Sequence, residues 1–242
     1  MNKGKGLLVV SFVVVAVLLA GGVAYYALKL KPTGQDHSQP AVALSEADQK
    51  AVAARAIAGD AKAQLQMGIW GLEKAMRPAQ YQEAGEWLRK SAETGNAEAQ
   101  FQLGTLYQSG RIKGQDPTNA VVWLEKAAAQ RHVAALYNLG SMYGTGRGAP
   151  RDPQAAVRYF RQAAELGDGY AQYNLARRCE EGQGTPKDPV EAWKWYELAS
   201  SSGIASANDG KRALESRLTP QQLEQARQAV EAFRKQAAPP GK

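Results

Sequence analysis

The 242-residue chain contains one cysteine and two histidines. Cys179 alone excludes an intramolecular disulfide framework, and a small apolar side chain serves packing more readily than a bridge between molecules. His37 lies in a polar stretch and His132 stands alone at an expected helix end, so neither a His-rich nor a Cys/His metal site is expected. No glycine-rich phosphate loop with a following Lys-Ser/Thr is present, and no nucleophile has a base near it in the pattern. The recurring acids Asp116, Asp152 and Asp188 stand 36 residues apart, a spacing wrong for acid–base work on one bond, and each precedes a proline. The composition therefore predicts no enzyme, no cofactor and no metal. A strong charge of one sign is also missing: Lys3, Lys5, Lys29 and Lys31 carry four of the formal +7, leaving +3 for the rest. With no basic run interleaved with aromatics, no nucleic-acid partner is expected.

What the chain does contain is itself, several times over. Copies of one unit begin at Ala63, Ala99, Ala135 and Ala171, with a remnant at Ala207, always 36 residues on. Gly68, Gly104 and Gly140 share one column, which Ala176 closes; Trp87, Trp123, Tyr159 and Trp195 share another. Internal repetition at this period signals units that stack neighbour on neighbour. Within the third unit, a first helix is expected from about Ala135 to Tyr143, with Gly140 letting two backbones approach. A bend at Gly144, Gly146 and Gly148 follows. A second helix starts at Asp152-Pro153, where the aspartate caps free N–H groups and proline takes the first helical position. Ala156, Tyr159, Phe160, Ala163 and Ala164 form its buried stripe, and Gly167 ends it. The predicted fold is an all-α, α/α superhelical solenoid of about four such repeats.

The first unit departs from the pattern at Lys74 and Gln80, which replace a bend glycine and the capping aspartate, so its bend should differ in shape. In the second unit Ile112 replaces the second glycine and Arg131 the helix-ending glycine. Cys179 replaces Tyr107 and Tyr143 in the fourth.

Ahead of the repeats, Gly6 to Leu28 carry no charge over 23 positions, which is roughly 34 Å of helix against a hydrocarbon core of about 30 Å. After a short tail (1–5), residues 6–28 are expected to be a single transmembrane anchor, with Tyr25, Tyr26 and the flanking lysines at the interfaces. The other reading is a cleavable secretory signal leaving near Ala24. The slight excess of positive charge before the span places the amino terminus inside the cell. The repeats then lie outside the cytoplasm, on the inner membrane if the anchor stays and secreted if it is cleaved. Residues 29–44 read as a flexible linker. Residues 45–62 form an N-terminal capping helix with Ser45 as its N-cap, and 63–206 hold the four repeats. Residues 207–236 form C-terminal capping helices, the last opening at Thr219-Pro220, and 237–242 are a tail.

The pattern A-x-x-x-L-G-x-x-Y, then G-x-G, then D-P-x-x-A-x-x-W/Y, then A-A-x-x-G resembles the Sel-one-like repeat (SLR) family, relatives of the tetratricopeptide repeats. It covers about Gly59 to Ala207 and is carried best by the third and fourth units. The resemblance implies a scaffold that holds protein partners, commonly in bacterial envelope assembly and signalling, with the first helices lining a concave wall. On that basis Leu65, Phe101, Tyr137 and Tyr173 face the groove, where their rings would hold an extended or helical peptide; the other reading is that they cover the neighbouring helix. The next column, Gln66, Gln102, Asn138 and Asn174, would offer amides to a peptide backbone or else satisfy the turns. In the fourth unit Arg177 and Glu180 replace Ser141 and Gly144, and Tyr170 replaces Ala134. This end of the groove is the candidate for partner-specific contact, a solvated face being the alternative. The expected function is a membrane-tethered adaptor for a protein or peptide; the alternative is a secreted or envelope protein with a structural or glycan-associated role.

Overall fold

The computed structural model describes residues 45–112 and 116–237. The expected anchor, linker and tail at residues 1–44 and 238–242 lie outside the described residues. Among the described residues, no helix is long and apolar enough to cross a membrane.

The described residues form eleven helices: α1 (Glu46–Ile57), α2 (Ala61–Lys74), α3 (Pro78–Glu93), α4 (Ala97–Ser109), α5 (Pro117–Ala129), α6 (Val133–Thr145), α7 (Pro153–Glu165), α8 (Gly169–Glu181), α9 (Pro189–Ser201), α10 (Ala205–Glu215) and α11 (Pro220–Ala237). From α1 to α10 each helix packs on the next, and α2/α3, α4/α5, α6/α7 and α8/α9 are the closest pairs. These pairs are the four units read from the sequence.

The first helix of each unit starts two residues ahead of its anchoring alanine, because a cap precedes it. Asp60, Asn96, His132 and Asp168 occupy one column, and each accepts a hydrogen bond from a backbone N–H in the first turn of its helix. The second helices start as expected: Asp116 accepts from Thr118 N, Asp152 from Ala155 N, and Asp188 from Val190 N and Glu191 N. Ser45 caps α1 by accepting from Asp48 N. Thr219 and Gln222 cap α11 reciprocally, each side chain accepting the other's backbone N–H. Such a box satisfies two of the donors that a helix start leaves free.

The core runs continuously from Leu88 to Val230, built from small residues facing large ones. A methyl group at Gly140 would lie 2.8 Å from the Phe160 ring. Glycine at this position admits an aromatic ring, rather than the close backbone approach that the sequence predicts. In the bends of the third and fourth units, Asp152 N donates to Tyr143 O and Asp188 N to Cys179 O, so the two loops share one shape. Gly148 and Gly184, both left-handed (φ 80° and 78°), lie against the carbonyls of Pro117 and Pro153. Ile112, at the same position in the second unit, is 3% exposed and fills the place with apolar bulk. In the first unit α3 starts three residues earlier than its counterparts, at Pro78. Gln80 then stands inside the first turn, and its side-chain oxygen accepts from the backbone N–H groups of Met76 and Arg77.

The C-terminal helix α11 packs along α9 rather than pairing with α10 as second helices do in the repeats. Phe233 meets Trp195 edge-on at 5.4 Å, and Arg234 reaches Glu197 and Ser201.

Candidate partner-binding surface

The first helices carry the column Leu65, Phe101, Tyr137 and Tyr173, and its members differ in what they have left to offer. Phe101 is 8% exposed, stacked on the His132 ring at 4.6 Å; it is a packing residue rather than an open groove-facing one. Leu65 is half-buried against the core. Tyr137 is half-buried, with its ring edge-on to Phe160 at 5.7 Å and to Tyr170 at 6.4 Å. Tyr173 is half-buried beside Tyr196 at 5.9 Å. The Asn174 amide donates to the Tyr170 carbonyl at 2.8 Å and also hydrogen-bonds the Tyr137 phenol, whose pKa burial raises against that bond. Tyr137, Tyr170 and Asn174 thus form one knot across α6 and α8, and Tyr173 lies on the same helix as Asn174. Asn138, in the amide column, is 6% exposed and belongs to the interior.

The column one residue before Phe101 was not singled out in the sequence, and it joins the units together. Gln64, Gln100 and Gln172 are buried, and their amides donate to the carbonyls of Ala56, Ala92 and Ala164 near the end of the preceding helix. Those carbonyls are among the four that a helix end leaves without intrahelical partners. Gln100 Oε1 in turn accepts from Gln130, and Gln172 Oε1 from Ser202.

His132 is not isolated, contrary to the sequence reading. Its Nδ1 accepts from Ala135 N at 3.3 Å, so in the neutral ring Nε2 carries the proton and faces Glu98 at 3.0 Å. Burial raises the Glu98 pKa, but the hydrogen bonds from His132 and Gln102 outweigh it and leave the carboxyl below its ordinary range. The missed signal was the register of His132 with Asp60, Asn96 and Asp168.

The charges in the fourth unit are mostly satisfied internally. Arg177 pairs with Glu181 at 3.0 Å, and Glu180 pairs with Arg217 while accepting from the Tyr196 hydroxyl at 2.9 Å. Arg178 forms no ion pair among the described residues, and it stands in a column otherwise filled by Trp70, Leu106 and Met142. Its guanidinium lies over the Phe160 ring, 5.4 Å from the centroid, and against Gly144. Cys179 is fully buried, and burial followed by the Glu191 carboxylate pushes its thiol up to about 12. A thiol kept protonated in this way is a poor nucleophile.

Paired antiparallel helices repeating in register define an α/α solenoid of the scaffold class. The chain belongs to the Sel1 repeat family, whose repeat matches residues 61–96, 97–132, 133–168 and 169–204. Among solved structures it is similar to a protective antigen of uropathogenic Escherichia coli displaying an SLR fold, at 31% identity and a TM-score of 0.67 over 76% of this chain. It is also similar to a Sel1 repeat protein from Oxalobacter formigenes, at 29% identity and a TM-score of 0.59 over 66% of this chain and 69% of that one. The chain spans 40% of the length of the E. coli antigen. No curated protein matches it in sequence.

Proposed function

We propose that this chain is an interaction scaffold, tethered to the inner membrane through residues 6–28, which binds a protein or peptide on the face formed by the first helices. The observation that carries this reading is the Tyr137–Tyr170–Asn174 knot with Tyr173 beside it. These rings are fixed by packing and hydrogen bonds yet remain partly open, and rigid amphipathic aromatics give contact area at little entropic cost. Affinity capture tests it, comparing wild type with Tyr137→Ala and Phe101→Ala, with the thermal stability of each variant measured alongside. Tyr137→Ala is expected to lose the partner, whereas the buried Phe101 acts mainly through stability. An unchanged captured set in Tyr137→Ala would sink the reading.

The tether rests on the uncharged stretch at Gly6–Leu28 and its flanking lysines. A reporter fused after Lys31 is expected to be active outside the cytoplasm. A mature N-terminus near Tyr25 by mass spectrometry would replace the tether with secretion.

A further inference from the structure

Arg178 is a half-buried cation in an apolar column, and no ion pair forms on it among the described residues. Its neighbours offset the cost of that burial only in part, since an aromatic face attracts the cation but supplies no counter-charge. The Phe160 ring lies under the guanidinium, and the backbone of Gly144 lies so close that a methyl group there would collide with the guanidinium. Arg151 reaches the same residue from the bend of the third unit, donating Nε–H to the Gly144 carbonyl at 3.3 Å. Two guanidinium groups therefore meet at one glycine. Burial first, then the charges of Arg151 and Arg177, lower the Arg178 pKa, and Glu181, already paired with Arg177, opposes this only in part. A guanidinium does not relieve such a site by giving up its proton, because its pKa stays far above neutrality. A bound anion would supply the counter-charge that these neighbours lack. The equivalent positions show that the fold does not require the charge: Met142 and Leu106 fill them at 1% and 4% exposure.

We propose that Arg178 and Arg151, meeting at Gly144, form a seat for a carboxylate of an acidic polypeptide partner. The seat joins α6, which carries Tyr137, to α8, which carries Tyr170 and Tyr173. A peptide lying on those rings thus has an anchoring charge at the bend end of the same helices. Two planar N–H donors suit the two oxygens of a carboxylate, and the Phe160 ring beneath excludes water on one side. This inference rests on the peptide-binding reading above and adds the chemistry of the partner.

The full-length chain is titrated with three fluorescein-labelled hexapeptides, read by anisotropy. They are hexaglutamate with an amidated end, hexaglutamine with a free carboxyl end, and amidated hexaglutamine. At least one of the first two binds and the third does not, and the stronger of the two distinguishes side-chain from terminal carboxylate. Arg178→Met, which installs the residue of the third unit, weakens that binding about tenfold, whereas Arg158→Met, which removes an exposed charge elsewhere on α7, changes it less than about twofold. Gly144→Ala, which displaces the guanidinium without removing it, weakens binding in the same direction and covers the case in which Arg178→Met fails to fold. Equal losses in Arg158→Met and Arg178→Met, no binding of either carboxylate peptide to wild type, or tighter binding of inorganic phosphate each overturn the assignment. If Tyr137→Ala loses its captured partner while Arg178→Met keeps peptide binding, the inference fails and the scaffold reading stands. If Tyr137→Ala captures the same set as wild type, the scaffold reading itself fails.

Discussion

The Gln100 side-chain amide donates to the Ala92 carbonyl at 3.1 Å, from the first turn of α4 to the last turn of α3, and so ties one repeat to the next. The Gln100 oxygen is satisfied by Gln130, 2.8 Å away. One unit later both positions turn apolar together, as Leu136 and Leu166. Gln100 is buried whereas Gln130 is exposed, so losing Gln130 strands the buried Gln100 oxygen, and an apolar residue at both positions strands nothing. Gln130→Leu alone is expected to cost about 1–3 kcal/mol, and adding Gln100→Leu to recover much of that loss. Urea midpoints at constant slope measure both; a simple sum of two losses in the double variant would contradict the pairing.

Arg131 is the one non-glycine residue with positive φ among the described residues (φ 61°). Gly59, Gly95, Gly167 and Gly203 hold the same register at φ 85° to 97°. An L side chain in that region is strained against its own backbone, which glycine avoids. The Arg131 side chain is exposed and makes no ion pair among the described residues. Arg131→Gly is therefore expected to stabilise the fold by about 0.5–1 kcal/mol. Thermal melting checks it: a lower melting temperature would show that the arginine side chain holds a contact worth more than the strain.

Gly140→Ala places a methyl group 2.8 Å from a Phe160 ring that is itself 2% exposed. The ring has no open side to move toward, so the expected loss is about 1–3 kcal/mol. The contrast is Gly85→Ala, whose methyl would sit 3.1 Å from a Leu106 methyl and within ordinary contact distance of Ile112. There the gain in helix propensity, about 1 kcal/mol, offsets the tight contact. Equal losses at the two sites would mean that the Phe160 ring is not what excludes a side chain at 140.

The architecture was legible because a repeat states its own register. Asp-Pro at 116, 152 and 188 fixed the second helix starts, and the glycines at 146 and 148 fixed the bend. What the sequence did not disclose depends on contacts between copies. The glutamine column serves carbonyls eight residues back, on another helix, and nothing in local propensity marks it. The early start of α3 was hidden because Gln80 was matched to a capping aspartate, whereas it caps from inside the helix. His132 carried a visible signal, its register with three other caps, yet its rarity drew attention to metal chemistry instead. Of the candidate surface, the tyrosines were legible as a column, but the burial of Phe101 and Asn138 was not, since exposure depends on what the next unit lays over them. Arg178 was legible only as an exception within an apolar column, and its neighbours Arg177 and Glu180 drew the reading first.

Asp168 caps α8 from a half-buried position, and desolvation there pushes its carboxyl from the ordinary 3.8 up to about 6, against the Ala171 and Tyr170 N–H groups that favour the anion. The folded state thus holds this proton more tightly than the unfolded chain does. The stability linked to it is fully present below about pH 4 and is lost as pH rises through about 6, above which the fold carries a partly desolvated carboxylate. Asn96, in the same register, caps α4 through a neutral amide oxygen. Asparagine and aspartate are equally good N-caps in general. Asp168→Asn is therefore expected to be more stable than wild type above pH 6, by on the order of 1–2 kcal/mol, with the difference vanishing toward pH 4. Denaturant unfolding at pH 4 and pH 8 measures the crossover. A variant less stable than wild type at pH 8 would mean that the attraction of the helix N-terminus for the anion outweighs its burial.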